Sequence, residues 1–191
     1  MTVYQIGPLG PRRSRQILRG VMLVSLLALM GNMSITQVHA QADEYQVKAA
    51  FIFNFAKFVD WPSNAFGDGD TLVVGVVGDD PFDGALDRLN GNMANGRRLR
   101  IKRLRVGDNL RACQILFISN SEGRNLGKSM DSSRGSSVLT IAEMPQFNQS
   151  GGIIRFVIQK NKVRFEINAQ AAGQSRLRIS SKLMALSKGG N

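Results

Sequence analysis

"TLVVGVVG", the stretch from Thr71 to Gly78, decides the fold because it is apolar throughout and rich in β-branched residues. Such a run is typical of a strand buried on both faces, which is the environment of a strand in a parallel sheet. "QILFISN" (114–120) is a second run of this kind, and "SSVLTIAE" (136–143) reads as a further strand. Helix signals lie between them, at Asp80 before Pro81 and within residues 121–135. This alternation predicts a parallel sheet covered by helices on both faces.

The rhythm changes toward the end of the chain. "IIRFVIQ" (153–159) and "KVRFEIN" (162–168) flank a short turn with Asn161, which predicts an antiparallel hairpin from Ile153 to Asn168. A helix is predicted from Ser180 onward. The predicted fold is one α/β domain over residues 41–191, with a mostly parallel sheet of about six strands, a C-terminal antiparallel hairpin and helices on both faces.

"AAFIFNFAKFVDWP" (49–62) is predicted to be an amphipathic helix. Its apolar residues fall within an arc of about 140°, and they are Val47, Phe51, Ile52, Phe55, Phe58 and Val59. Pro62 is expected to stop the helix. Phe53 falls on the polar side with Lys57, and Trp61 stands at the exit. Because clustered exposed apolar groups mark interaction sites, Phe53, Lys57 and Trp61 are candidate partner-binding residues.

Residues 1–40 have the layout of a cleavable secretory signal peptide. Four arginines precede the apolar segment "VMLVSLLALM" (21–30), and "VHA" (38–40) supplies the residues before the cut. A membrane anchor is the alternative, but it needs about 20 apolar residues, and polar residues from Asn32 onward end the run. The expected location is the periplasm.

The residue types of the mature chain exclude several kinds of catalytic site, metal site and disulfide. The only histidine, His39, lies in the signal peptide, and Cys113 is the only cysteine. The mature chain therefore cannot build a Ser-His-Asp or Cys-His site, a histidine metal site or an internal disulfide. We predict no catalytic residue, no cofactor and no metal, and we expect Cys113 to be a small buried hydrophobic residue.

The mature chain is basic. It carries 21 of the 25 basic residues and all 14 acidic ones, a net charge of +7. "RRLRIKRLRV" (97–106) is the densest positive segment, and it alternates as a strand does. Arg98, Arg100 and Lys102 are candidate docking residues for an acidic partner, although a solvated strand face is the simpler interpretation. The run has no interleaved aromatic residues, which disfavours nucleic acid.

Two other groups could bind a ligand. Asp79, Asp80, Asp83 and Asp87 follow the first apolar strand, but helix capping accounts for them. Near the end of the chain, Arg176, Arg178 and Ser180 stand close together in "SRLRISSKL" (175–183). Ser180 could cap a helix or, with the two arginines, hold an anion near free N–H groups.

Five stretches in order resemble the YfiR family of periplasmic proteins. They are "FNFAKFVDWP", "VVGDDPF", "LFISNSE", "GGIIRFV" and "RFEINAQAAGQSRLRISSKLMALS", and the similarity covers residues 43 to 188. The resemblance implies a dimeric α/β protein that represses an inner-membrane diguanylate cyclase and is relieved by an outer-membrane lipoprotein. Relatives often carry paired cysteines, whereas Cys113 has no partner here, so redox control through such a bridge is not expected.

Two functions remain open from the sequence. The first is a signalling adaptor that holds an inner-membrane diguanylate cyclase, or a similar sensor kinase, inactive through protein contact. The second is a sensor module that binds a small ligand near the strand carboxyl ends or around Arg178 and Ser180. Both functions could belong to one protein, since a ligand that favours one state of the adaptor shifts its equilibrium toward that state.

Overall fold

The computed structural model describes residues 41–67 and 69–188, so the predicted signal peptide lies outside it. The described chain has four α-helices: α1 (41–58), α2 (Leu126–Ser133), α3 (Ala169–Gln174) and α4 (Ser181–Lys188). Its strands are β1 (Val59–Asp60), β2 (Thr71–Val77), β3 (Met93–Ala94), β4 (Arg97–Leu104), β5 (Ile115–Ile118), β6 (Leu139–Ala142), β7 (Ile154–Gln159), β8 (Lys162–Ile167) and β9 (Arg178–Ile179).

Seven strands form one sheet in the order β3-β4-β2-β5-β6-β7-β8. The five central strands are parallel, and β3 and β8 pair antiparallel at the two edges. The predicted mostly parallel sheet and the closing hairpin are therefore confirmed. The predicted number of about six strands is one short, because the two-residue strand β3 adds an edge ahead of β4. β1 and β9 form a separate antiparallel pair.

Helices cover both faces of the sheet, as predicted. α1 lies on one face, where Val74, Val76 and Phe117 belong to the larger apolar cluster. On the other face, Leu116 and Ile118 pack with Leu126 and Met130 of α2, and with neighbouring apolar side chains. The central strand β2 therefore buries side chains in both directions, which explains why its sequence is apolar without alternation.

The amphipathic character of α1 is confirmed, with one exception. Its buried residues are Tyr45, Ala49, Ile52, Phe55 and Ala56, followed directly by Val59. Phe51 and Phe55 contact Phe156 and Phe165 of the hairpin, with ring centroids 5.1–6.2 Å apart. Val47, which we placed on the same stripe, is 45% exposed, since the buried residues centre on Ile52 and Val47 lies about 140° from it around the helix.

The helix ends before it reaches the proline that was predicted to stop it. It stops at residue 58, and Val59 and Asp60 leave it as β1 to pair with Ile179 and Arg178. Pro62 instead precedes a 3-10 turn, Ser63–Ala65. Pairing with β9 therefore ends the helix before the proline can.

The helix predicted after Asp80 and Pro81 does not form. Asp83 and Gly84 have φ values of 45° and 75°, and a residue in this left-handed region cannot continue a right-handed helix. The segment holds only turns and a short 3-10 helix, Asp87–Leu89. Asp80 and Asp87 both bind the guanidinium of Arg103, and Asp80 also accepts from the amide of Phe82 at 2.8 Å, which caps a turn and not a helix.

A buried lysine ties α1 to the sheet. Lys48 is 2% exposed, and lysine is almost never this buried unless it is paired. Its Nζ binds the carboxylates of Glu44, one turn earlier, and Glu143, which directly follows β6. Glu143 also accepts hydrogen bonds from the hydroxyl of Tyr45 at 3.0 Å and from Asn120 at 3.1 Å. Burial, together with Glu143, raises the pKa of Tyr45.

We predict that Lys48→Met lowers the free energy of unfolding by about 3–5 kcal/mol, because it leaves carboxylates without their buried cation. Lys57→Met is the matched control, since it makes the same change at an exposed position of the same helix. The control should stay within about 0.5 kcal/mol of wild type. Urea unfolding of both variants measures this difference. Equal effects would show that Lys48 does not anchor α1.

Candidate interaction surfaces

Three cations form a row on one face of β4. Arg98, Arg100 and Lys102 are exposed and alternate with Leu99 and Ile101. Side chains two residues apart on a strand point to the same face at a spacing of about 6.6 Å. Within residues 41–67 and 69–188, none of the three makes a salt bridge, and the side chain of Arg98 donates to the carbonyl of Gly91 at 3.3 Å. We call these three residues the basic row.

Two other arginines of β4 have structural roles. Arg103 points to the opposite face and binds Asp80 and Asp87, which lowers the pKa of Asp87. Arg97 stacks on Phe66 at 3.6 Å from the ring centroid and donates to the carbonyl of Gly69 at 2.7 Å. The strand therefore separates cations used for folding from the unpaired cations of the basic row.

Phe53 and Lys57 form a second surface. Phe53 is partly buried against the larger apolar cluster. The exposed Lys57 places its Nζ 4.2 Å from the centroid of the Phe53 ring. α1 covers the face of the sheet opposite the basic row, because Arg98, Arg100 and Lys102 are in register with Thr71, Val73 and Gly75 rather than with the residues beneath α1. The structure thus places these two groups of candidates on different surfaces.

Trp61 is held in a loop by a buried glutamine. The Trp61 Nε1 donates to the carbonyl of Gln114 at 3.1 Å, and its ring contacts Phe66 edge to face at 6.3 Å. The side chain of Gln114 accepts from the amide of Val73 at 2.8 Å and donates to the carbonyl of Ala65 at 2.6 Å. Trp61 remains partly exposed and borders a cavity of about 280 Å³ with Phe66 and neighbouring residues.

The candidate ligand residues all make internal contacts. Arg176 donates to the carbonyl of Gly135 at 3.2 Å, and Arg178 lies opposite Asp60 in the β1–β9 pair. The hydroxyl of Ser180 accepts from the amide of Leu183 at 3.2 Å, so Ser180 caps α4. An anion site at these residues stays a prediction.

Cys113 is buried, as predicted, and lies close to the basic row. Burial raises the pKa of its thiol to about 11, against a smaller opposite effect of Lys102. Its Sγ occupies the space above Gly75, where an added Cβ would stand 2.7 Å from the sulfur. The thiol is therefore a packing group beside Gly75, with no activation toward reaction.

Sequence reasoning missed the residues whose partners are distant in the chain. Lys48 and Glu143 are 95 positions apart, and Trp61 and Gln114 are 53 apart. One signal in the sequence could have pointed to the Trp61 contact, because Gln114 is a polar residue at the start of an apolar strand. Within residues 41–67 and 69–188 we find no group of three or more histidine, cysteine or acidic side chains suited to a metal.

A family model described as YfiR/HmsC-like matches residues 45–188. No curated protein sequence matches the chain. In the part of the chain that is described, no helix is both long and apolar enough to cross a bilayer. The family suggests a periplasmic regulator rather than an enzyme, with a membrane diguanylate cyclase as the partner, which agrees with the resemblance found in the sequence.

We predict that Cys113→Ala lowers the free energy of unfolding by about 1 kcal/mol, as expected for a modest loss of buried volume. Gly75→Ala should cost about 1–3 kcal/mol by overpacking, and less than that when Cys113→Ala is already present. A double-mutant cycle by chemical denaturation measures the coupling. Additive effects would show that the sulfur does not define the space at Gly75.

Proposed function

The chain belongs to the YfiR/HmsC-like family, and we propose that it is a periplasmic adaptor that represses an inner-membrane diguanylate cyclase by protein contact. The observation that carries this proposal is the basic row, since three exposed cations without salt bridges are arranged on one strand face. Charges arranged in this way guide association with an acidic surface and fix its orientation. A regulator that acts by contact needs such a surface and no catalytic group.

The acidic partner surface is proposed to lie on the periplasmic part of the cyclase. β4 is a rigid element because all seven residues of β2 pair with it, from Thr71↔Arg98 to Val77↔Leu104. The basic row is therefore presented at a fixed spacing, so little side-chain ordering beyond the three cations is required on binding. Repression follows if the complex forms only with the inactive arrangement of the cyclase.

The surface of Phe53 and Lys57 is proposed as a separate contact, either with a second copy of the chain or with another protein. A partly exposed phenylalanine beneath a lysine offers apolar area and a cation together. Because this surface lies on the opposite face of the sheet from the basic row, both could be occupied at once. An outer-membrane lipoprotein that relieves repression would need a surface of this kind.

A small-ligand sensor is the second candidate. The cavity of about 280 Å³ bordered by Trp61, Phe66 and Arg97 favours it, and Asp60, which also borders the cavity, is the register partner of Arg178. The volume is just below the range of about 300–1,000 Å³ for ligand pockets. A solute bound here would act on the loop that carries Trp61.

Deleting the gene is expected to raise cyclic-di-GMP and to increase surface attachment, because the cyclase loses its repressor. Chromatographic measurement of the nucleotide in wild-type, deleted and complemented strains tests this. If cyclic-di-GMP is unchanged and the purified protein captures a small solute but no membrane protein, the sensor function replaces the adaptor.

Charge reversal of the basic row, R98E with R100E and K102E, should slow association with the cyclase periplasmic domain more than it speeds dissociation. The matched control reverses Arg88, Arg124 and Lys128, three exposed cations outside β4, and changes the net charge equally. Surface plasmon resonance at two salt concentrations measures both rates. Equal slowing by both triple variants would mean that only net charge matters.

Phe53→Ser is expected to leave the monomer folded and to weaken association. The ring is only partly buried, so the free energy of unfolding should fall by about 1 kcal/mol. Sedimentation of the protein alone, and its binding to the cyclase domain, show which contact is lost. Normal assembly in both measurements would assign Phe53 to the core of its own chain.

A further inference from the structure

β7 has a free edge beyond the end of β6. The two strands are in register only at Ile141↔Ile154 and Ala142↔Arg155, whereas β7 continues to Gln159. β6 ends at Ala142, and Pro145, which has no N–H to donate to a ladder, follows three residues later. From Phe156 to Gln159, β7 is therefore paired on one side only, by β8.

The hairpin turn defines which backbone groups face this edge. Lys160 and Asn161 have φ values of 49° and 57°, as in a two-residue type I′ turn, so Gln159 and Lys162 exchange hydrogen bonds across it. Hydrogen-bonded pairs alternate along an antiparallel ladder, which turns the N–H and C=O groups of Phe156 and Ile158 away from β8. Among the described residues neither group has a backbone or side-chain partner outside the ladder.

A groove of about 460 Å³ runs along this edge. Its floor is the segment from Phe156 to Gln159, and its far wall is formed by Glu44, Lys48 and Glu143. The open edge is about 13 Å long for four residues, enough for a short extended segment. Ile158 is 50% exposed at the groove and would provide an apolar contact for one side chain of that segment.

The groove lining holds three carboxylates against two cations, and two of the carboxylates are more exposed than either cation. Among the side chains of the groove, those of Glu44 and Glu166 are 32% and 44% exposed. The cations lie beneath them, since the side chain of Lys48 is 3% exposed and that of Arg155 is 21% exposed. Two copies of this groove would repel each other, so a second copy of the chain is disfavoured as the occupant. A basic segment is complementary.

We propose that the β7 edge binds an extended basic segment of another protein by strand addition, in line with the end of β6. Main-chain hydrogen bonds to Phe156 and Ile158 would supply affinity, and alternate side chains would meet the carboxylates. This surface lies on the β6 side of β7, separated from β4 by three strands, and it exposes carboxylates where the basic row exposes cations. It goes beyond the proposed repression, because it does not depend on the cyclase.

The test uses immobilised mature protein and a pool of capped hexapeptides in which Val alternates with Lys, Ser or Glu. Peptides with Lys are expected to be retained above those with Glu. Backbone N-methylation on one set of alternate residues should then reduce binding about tenfold, as for one or more lost hydrogen bonds, whereas methylation of the other set should not. No retention, enrichment of Glu or equal effects of the two methylated sets would overturn the proposal.

Two matched proline variants locate the binding edge on the protein. Ile158→Pro and Val163→Pro change register partners of the hairpin, and each removes an N–H that faces away from the β7–β8 ladder. Ile158→Pro should abolish retention of the Lys peptide and Val163→Pro should not, with thermal melting as the check on folding. The reverse result would place the peptide on β8, and a change in oligomeric state with Ile158→Pro alone would make a second copy the occupant. Either result overturns the proposal.

Discussion

The packing of α1 on the sheet is the constraint on which the rest of the structure depends. The apolar side of the helix buries Ile52 and Phe55, and the Lys48–Glu143 contact fixes its start at the carboxyl end of β6. Together they determine the direction of the helix and its rotation about its own axis. Phe53 and Lys57 reach the surface as a result, and Trp61 arrives beside Gln114.

The alternation of side chains along the strands determines on which face of the sheet each charged group lies. Along β4, Arg103 faces the side on which Asp80 and Asp87 neutralise it, whereas the basic row faces the other side. In the groove beside β7 the arrangement is inverted, because Lys48 and Arg155 are covered while carboxylates are exposed. A protein with a positive net charge therefore has two surfaces of opposite character. This suits an adaptor that contacts two different proteins.

The parts of this account that the sequence could predict were those carried by local pattern. Apolar runs predicted β2 and β5, and period-two alternation placed Arg98, Arg100 and Lys102 on one face. The prediction of a helix after Pro81 was wrong because Asp83 adopts a left-handed backbone conformation that a non-glycine residue seldom takes. Lys48 could not be recognised as an anchor, because its partner Glu143 becomes a neighbour only after β6 and α1 are packed together.

The central claim is that this protein lowers the activity of a membrane diguanylate cyclase by contact alone. The most direct measurement is the rate of cyclic-di-GMP formation by the full-length cyclase in lipid nanodiscs, where GTP and the mature protein reach opposite faces of one bilayer. The account predicts that the rate falls and saturates as the protein is added, with no small molecule required. A rate that stays constant while the protein is demonstrably bound, or that falls only when a solute is supplied, would contradict it.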